Sequence, residues 1–355
     1  MKNKNAFIAM SGGVDSSVAL WLALREGFSC RGVYMQMCSK ALLGREPNAD
    51  SQDADKVAQR LGIPFQVIDA TQSFTQQVAE NFVAAYEAGA TPNPCIVCNK
   101  TMKFGLLLDK ALEMGCDTLI TGHYARVEQD PASGRFLLKK AADENKDQSY
   151  FLACLNQEQL RHVHLPLGSL TKEQVRKIAE EQGFLNARKR DSQDICFIPD
   201  GDHVAFMERY RGKAYPQGDY LDLDGKVLGR HKGAAGYTIG QRKGLGIALG
   251  APAYVCAKDM KNNTVTLGPN DALFKTALRA TDWNWFPFPT LREPIRVLAK
   301  VRYRHIPQWA TVYPEDEGFA RVEFVEPQRA ITTGQAVVLY DGDTVVGGGT
   351  ITEVL

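Results

Sequence analysis

Apolar and polar positions in the first part of the chain switch between two rhythms. Short apolar runs, NAFIAM (5–10), RGVYMQM (31–37) and FQVIDA (65–70), read as buried strands. Between them, SSVALWLALREG (16–27), DADKVAQRLG (53–62) and SFTQQVAENFVAAYEAG (73–89) place apolar residues at three- and four-residue spacing, which predicts helices. The alternation continues with FGLLLDKALEMG (104–115) as helix, CDTLITGHYARV (116–127) as strand, and TKEQVRKIAEEQG (171–183) as a helix capped by Thr171. Strand–helix alternation of this kind predicts a parallel sheet covered by helices on both faces.

From about Tyr215 the rhythm shortens. GDYLDLDGKVLGRH, NNTVTLGPND, PIRVLAKVRYRH and QAVVLYDGDTVVGGGTITEV are alternating runs joined by Asp-Gly, Asn and Pro turns, which predicts antiparallel β structure. The expected division is 1–210 for the α/β unit, 211–272 for a small central β-rich domain, and 273–355 for a C-terminal antiparallel β-barrel.

Composition adds limits rather than detail. The chain has 355 residues and a formal net charge of +1, so any nucleic-acid surface must be local. The start, MKNKNAFIAMSGG, is too weakly apolar for a signal peptide, and no run approaches a membrane span. Eight cysteines in such a chain point to a reducing cytoplasm, where thiols are catalytic, metal-binding or simply buried. A monomer is expected.

The chemistry begins at AMSGGVDSS (9–17), where the first strand meets the first helix. Gly12 and Gly13 allow positive φ and close backbone approach, and amides at a helix start form an anion cradle, helped by the hydroxyls of Ser11, Ser16 and Ser17. The loop fits neither Gly-x4-Gly-Lys-Ser/Thr nor Gly-x-Gly-x-x-Gly. Asp15 would repel a phosphate unless a cation neutralises it, which implies Mg²⁺. The alternative reading is a Gly-rich turn with Ser caps. The stretch resembles the PP-loop, Ser-Gly-Gly-x-Asp-Ser, of the ATP pyrophosphatases (adenine nucleotide alpha hydrolase-like fold). That resemblance implies ATP bound by Ala9, Met10, Ser11, Gly12, Gly13, Val14, Asp15 and Ser16.

Three more stretches narrow the resemblance: TPNPCIVCNKTMKF (91–104), KRDSQDICFIPDGD (189–202) and GYTIGQRKGLGI (236–247). With the phosphate loop they make the chain similar to the tRNA-specific 2-thiouridylases, from that loop to the C-terminus. The resemblance implies 2-thiolation of a tRNA wobble uridine. ATP adenylates O2, and sulfur attacks C2 from a persulfide on Cys196, supplied by a cysteine desulfurase or sulfur relay protein. AMP and pyrophosphate leave, and Cys98 forms a disulfide with Cys196. It further implies Met35 and Gly122 at ATP, Asn93, Pro94 and Cys95 at the target base, and His123, Lys146, Asp147, Gln148, Arg302, Tyr303 and Gln335 at tRNA.

Each of these positions also has a plainer reading. His123 could close a strand end, 146–148 could be a solvated loop, and Met35 could be core. Cys30, Cys116, Cys154 and Cys256 lie in or beside apolar runs and read as small buried hydrophobes, whereas Cys98 and Cys196 fall in polar, Pro-containing loops. Lys300, Arg302 and Arg304 share one face of a predicted strand by period-2 geometry, suiting a phosphate backbone. The run ARKR (187–190) reads as a solvated face that also helps bind RNA.

One position departs from the family pattern. The usual loop is Asn-Pro-Asp-x-x-Cys-Asn, and Cys95 stands where the Asp belongs. A thiol there could act as acid or base if its pKa is lowered. Alternatively, Cys95, Cys98 and Cys196 could ligate a [4Fe–4S] cluster with one open iron. Two further alternatives are a different adenylating enzyme acting on a small molecule and a non-catalytic RNA-binding iron–sulfur protein, the latter opposed by the intact phosphate loop.

Overall fold

In the computed structural model, which describes residues 4–47, 49–187, 189 and 195–355, the first apolar run is the central strand β1 (Asn5–Ala9). Its neighbours are β2 (Ser29–Gln36), β3 (Phe65–Asp69), β4 (Thr118–Ile120) and, beyond the hairpin β5 (Arg126–Gln129) and β6 (Phe136–Lys139), the short β7 (Val163–His164). The order β3-β2-β1-β4-β7 is parallel throughout. Alternation along β1 assigns its two faces: Phe7 enters one apolar cluster, Ala6 and Ile8 the other, and all three are fully buried. The helices Val14–Arg25, Asp50–Arg60 and Lys172–Glu181 cover the Ile8 face; those over 71–87 and 94–113 cover the Phe7 face. Thr171 caps the helix Lys172–Glu181 in a capping box with Gln174.

The structure redraws two expected strands. The run 116–127 divides in two: β4 ends at Ile120, the chain bends, and β5 pairs antiparallel with β6 rather than joining the parallel sheet. Likewise the strand through 294–305 stops at Lys300, so Arg302 and Arg304 lie in the following turn. Those three cations therefore do not share a strand face. Arg188 and Arg190 of the ARKR run lie outside the described residues, as do Asp191–Asp194 of the stretch preceding Cys196.

After the helix His203–Arg211 come four strands, β8 (Gly218–Leu221), β9 (Val227–His231), β10 (Tyr254–Asp259) and β11 (Thr264–Gly268), in the order β10-β11-β8-β9. The last six strands are β12 (Phe274–Trp285), β13 (Ile295–Lys300), β14 (Gln308–Pro314), β15 (Ala320–Arg329), β16 (Ala336–Asp341) and β17 (Thr344–Val354). They run β12-β15-β14-β13-β16-β17, and β12 pairs back onto β17, which closes the barrel. Tyr340, Val338, Val345 and Phe286 of the barrel sit in the apolar cluster of the Phe7 face, so the barrel packs against the α/β unit through a dry seam. Salt bridges from Arg126 (2.7 Å) and Lys139 (3.9 Å) to Asp343 reinforce that contact.

Candidate active site

The loop between β1 and the first helix is tied mainly to itself. Gly12 has φ +72°, and a Cβ there would collide with the Asp50 carbonyl oxygen, so the position demands glycine. The Ser16 and Ser17 hydroxyls both donate to the Gly13 carbonyl, at 3.1 and 3.0 Å, and Ser16 Oγ accepts from the Ser11 amide at 3.2 Å. Asn186 donates to the Gly12 carbonyl (3.2 Å) and to Ser17 Oγ (2.9 Å). Ser16 and Ser17 are buried and spend their hydroxyls on the loop's own backbone, while Ser11 is exposed. Gly13 is the helix N-cap and Val14 the first helical residue, so the backbone at the helix N-terminus faces any anion placed there. Ala9 ends β1, Met10 is buried and hydrogen-bonded to Val33 by its amide (2.8 Å), and Met35 is buried on the adjacent strand. Gly122 explains itself by proximity: a Cβ there would stand 2.8 Å from the Asp15 carbonyl carbon and 2.9 Å from the Ser16 amide nitrogen.

Asp15 has its counter-charge already. Lys172 Nζ lies 2.7 and 2.8 Å from its two carboxylate oxygens, and the Tyr124 hydroxyl donates to it at 2.7 Å. The electrostatic reason for expecting Mg²⁺ at Asp15 is thus met by Lys172, while the carboxylate keeps acceptor capacity beyond these contacts. Sequence reasoning missed Lys172 because a lysine in an amphipathic helix is read as solvent-facing; here it is 9% exposed.

The second set of groups converges from three segments. Cys95 and Cys98 are not in a loop but on the first turn of the helix that starts at Pro94 with Asn93 as N-cap, three residues apart and so on one face. The helix then widens to i→i+5 hydrogen bonding over Asn99–Leu106, a bulge of the kind common at functional sites. Cys98 is buried, its Sγ 3.8 Å from Met37 Sδ, and burial pushes its thiol up to about 12. Burial likewise raises Cys95, the opposite of what an acid–base thiol needs. Cys196 is exposed, and the influence of the Cys38 side chain, with local desolvation of the sulfur, pushes its thiol well up. The Cys196 side chain in turn lowers the Cys38 thiol, against an opposing effect of burial. Cys38, which no spacing in the sequence marks, acts on both Cys196 and Cys98 and joins the site. Cys30 and Cys116 are buried as expected, while Cys154 and Cys256 are half-buried.

Lys103, five residues after Cys98, is the cation that Cys95, Cys98 and Cys196 all feel, and it counters their burial. Its Nζ lies 3.5 Å from His123 Nε2, while Thr121 Oγ1 is 2.7 Å from His123 Nδ1. Burial and the Lys103 charge hold His123 well below the ordinary histidine pKa, so the ring is neutral at pH 7. Among the described residues no group of three or more His, Cys, Asp or Glu side chains is arranged to hold a metal ion. The three cysteines suggested as cluster ligands are not assembled as a ligand set, and no step is derived through a cluster.

The expected tRNA residues collect at the seam between the α/β unit and the barrel. Asp147 accepts from the Ala141 amide (3.0 Å) and the Ser149 hydroxyl (2.8 Å), Gln148 accepts from the Tyr124 amide (2.9 Å), and Lys146 is in the turn just before them. The Tyr303 ring lies 4.4 Å from Phe151, and Gln335 donates to the Thr91 carbonyl at 2.8 Å, just ahead of Asn93. Arg302 is turned inward, donating to the Ile239 carbonyl (3.0 Å) and Thr332 Oγ1 (2.6 Å). It fastens the GYTIGQRKGLGI loop to the barrel, while Arg304 is exposed.

The fold and the glycine-built cradle define an ATP-using enzyme of the PP-loop class. A profile described as a tRNA methyl transferase HUP domain matches residues 4–200, a PRC-barrel domain profile of the same name matches 204–269, and an aminomethyltransferase beta-barrel profile matches 275–351. The chain is 45% identical to the tRNA-specific 2-thiouridylase MnmA of Clostridioides difficile over 99% of both chains. It is 48% identical to the MnmA of Geotalea uraniireducens over 99% of this chain and 95% of that one. A crystallised 4-thiouridine synthetase–RNA complex with bound ATP is a more distant likeness, 18% identical with a TM-score of 0.35 over 55% of this chain and 45% of that one, and decides nothing. The chain belongs to the tRNA-specific 2-thiouridylase family.

Proposed function

We propose that the protein thiolates tRNA at C2 of the wobble uridine. Uridine O2 attacks the α-phosphate of ATP held on Ala9–Ser16 and displaces pyrophosphate. The outer sulfur of a Cys196 persulfide then attacks C2, and the activated oxygen departs with AMP. A second thiol, Cys98 in the family pattern, attacks the inner Cys196 sulfur, and 2-thiouridine leaves as the reduced fragment while the two cysteines become a disulfide. A carbonyl oxygen leaves readily only after adenylation, and the thiolate form is the competent sulfur nucleophile.

The observation that carries this reading is the join between the two sites. Gly122 lies against Asp15 and Ser16 of the phosphate loop, and the next residue, His123, contacts Lys103, the cation beside the thiols. An adenylated base and a sulfur carrier need that adjacency. Gln335 bonds to Thr91 just ahead of the helix that bears Cys95 and Cys98, and Tyr303 packs on Phe151, whose carbonyl accepts from Asn99 of that helix, which is where an anticodon loop would enter. The sulfur is supplied by a cysteine desulfurase or relay protein. The test is nucleoside mass spectrometry of unmodified tRNA incubated with ATP and a protein persulfide donor. The wild-type chain forms 2-thiouridine and Cys196→Ser forms none; product from the variant would overturn the assignment of Cys196.

A further inference from the structure

The Gly12 carbonyl is gripped by two side chains that the reaction scheme does not use. Asn186 Nδ2 donates to it at 3.2 Å and Lys189 Nζ at 3.3 Å. Asn186 is buried, and its amide nitrogen also donates to Ser17 Oγ at 2.9 Å. Both of its N–H groups thus serve the phosphate loop, while its oxygen is buried without a partner among the described residues. Lys189 brings its ammonium to three acceptors: the Gly12 carbonyl, Asp50 Oδ1 at 2.7 Å and Asp53 Oδ2 at 3.0 Å. An ammonium has three donors, so these contacts occupy it fully. The same Asp50 closes on Gly12 through its backbone, since a Cβ on Gly12 would stand 2.3 Å from the Asp50 carbonyl oxygen.

The grip matters because the peptide between Gly12 and Gly13 has glycine on both sides. In a trans peptide the C=O and the following N–H point opposite ways, so a Gly12 carbonyl held toward Asn186 and Lys189 turns the Gly13 N–H away from them. Gly13 is the N-cap of the helix Val14–Arg25, where an anion is received. Turning the peptide over would put a carbonyl where that N–H stands. It would also carry φ of Gly13 from −94° into the left-handed region, which glycine enters freely and other residues avoid. Backbone sterics therefore leave both orientations open. We propose that Asn186 and Lys189 are positioning residues for ATP, holding the Gly12–Gly13 peptide in the orientation that presents its N–H to the phosphates. This rests on the reading of residues 9–16 as an ATP cradle. Ser16 and Ser17 tie the Gly13 carbonyl in the same manner, which sets two successive amides for one anion. Asp50 and Asp53 act one step back, by keeping the Lys189 ammonium on the Gly12 carbonyl.

The test is equilibrium binding of ATP, in magnesium-containing buffer, to the full-length protein. Wild type, Asn186→Ala, Lys189→Met and Lys189→Arg are each measured as they stand and again with Gly13→Ala added, and melting temperatures confirm folding. Loss of one hydrogen bond to the Gly12 carbonyl should weaken ATP binding roughly three- to tenfold, and Lys189→Arg should recover most of that loss. Alanine at position 13 disfavours the flipped peptide, and its Cβ would meet Ser11 Oγ at 3.4 Å, an ordinary contact. It should therefore take over from the side chains: in the Gly13→Ala background the Lys189→Met and Asn186→Ala losses should shrink to about twofold or less. Asn186 is buried, so Lys189, which is partly exposed, carries the test alone if Asn186→Ala fails to fold. Equal losses in the two backgrounds would mean that these residues act through charge or stability, and would overturn the proposal. Undiminished ATP binding by folded Lys189→Met and Asn186→Ala would overturn it as well. Absence of ATP binding by the wild-type protein would overturn the cradle reading itself, and the proposal with it.

Discussion

The phosphate loop and the thiol site lie side by side yet are built on opposite principles. In the loop most side chains are tied before any ligand arrives: serine hydroxyls on Gly13, the Asn186 amide nitrogen on Gly12, and Lys172 and Tyr124 on Asp15, although the Asn186 amide oxygen is buried without a partner. Such preorganisation suits an invariant ligand whose charge is known in advance. At the thiol site Cys98 is buried and its thiol pushed up, Cys95 and Cys196 are exposed yet also shifted upward, Cys196 chiefly by Cys38, and Lys103 opposes all three shifts. Reactivity there is held back until an incoming sulfur or base changes the surroundings. The phosphate loop is braced by its own side chains, whereas the thiol site sets raised thiols at Cys95, Cys98 and Cys196 beside a lowered one at Cys38.

If the two regions act as separate halves of one reaction, mutations should divide them. The largest effect expected is from Cys196→Ser, which removes 2-thiouridine to background while tRNA-dependent pyrophosphate release continues. Equal loss of both would mean the regions are not separable. In the other direction Lys172→Met strips the cation from Asp15 at the phosphate cradle. Pyrophosphate release should fall on the order of a hundredfold, as for loss of one preorganised electrostatic contact, while sulfur loading of Cys196 from polysulfide is unchanged.

Gly122→Ala tests the join. Its Cβ would press on the Asp15–Ser16 backbone at 2.8 and 2.9 Å, a clash that no side-chain rotation relieves. We expect a cost of about 1–3 kcal/mol from overpacking, read as a lowered melting temperature and weakened ATP binding.

Much of the fold was legible because it depends on neighbouring residues: strand and helix periods, the Thr171 cap, and the glycines of the phosphate loop are local signals. The thiol site draws on residues near 38, 95–103 and 196, so its membership is decided by how β2, the Pro94 helix and the 195–198 segment pack. No spacing marks Cys38, and Lys103 lay inside a quoted stretch without a reason to stand out until the helix brought it toward His123. The strand placement of Arg302 failed for a related reason. A period-2 pattern cannot show that β13 ends at Lys300, after which the guanidinium turns into the seam. Its replacement by Ala should therefore lower stability, by about 1–3 kcal/mol for a hydrogen-bonded charged group, measurable by denaturant unfolding.

Smaller effects sharpen the thiol side. Cys95→Asp restores the commoner family residue and should keep thiolation within a few-fold. The rate of alkylation by iodoacetamide tracks the thiolate fraction. Cys38, with its pKa lowered, should stay reactive to lower pH than Cys98, which is protonated until about 12. Reaction of Cys98 ahead of Cys38 at pH 7 would invert the comparison.

The central claim is that adenylation at one region and sulfur transfer at the other are consecutive steps on one uridine. Its most direct measurement is the ratio of AMP released to 2-thiouridine formed in a single turnover of persulfide-loaded protein with unmodified tRNA. The account predicts one AMP per 2-thiouridine, and, with Cys196→Ser, pyrophosphate release without 2-thiouridine. Formation of 2-thiouridine without AMP, or AMP released in the absence of tRNA at the same rate, would contradict it.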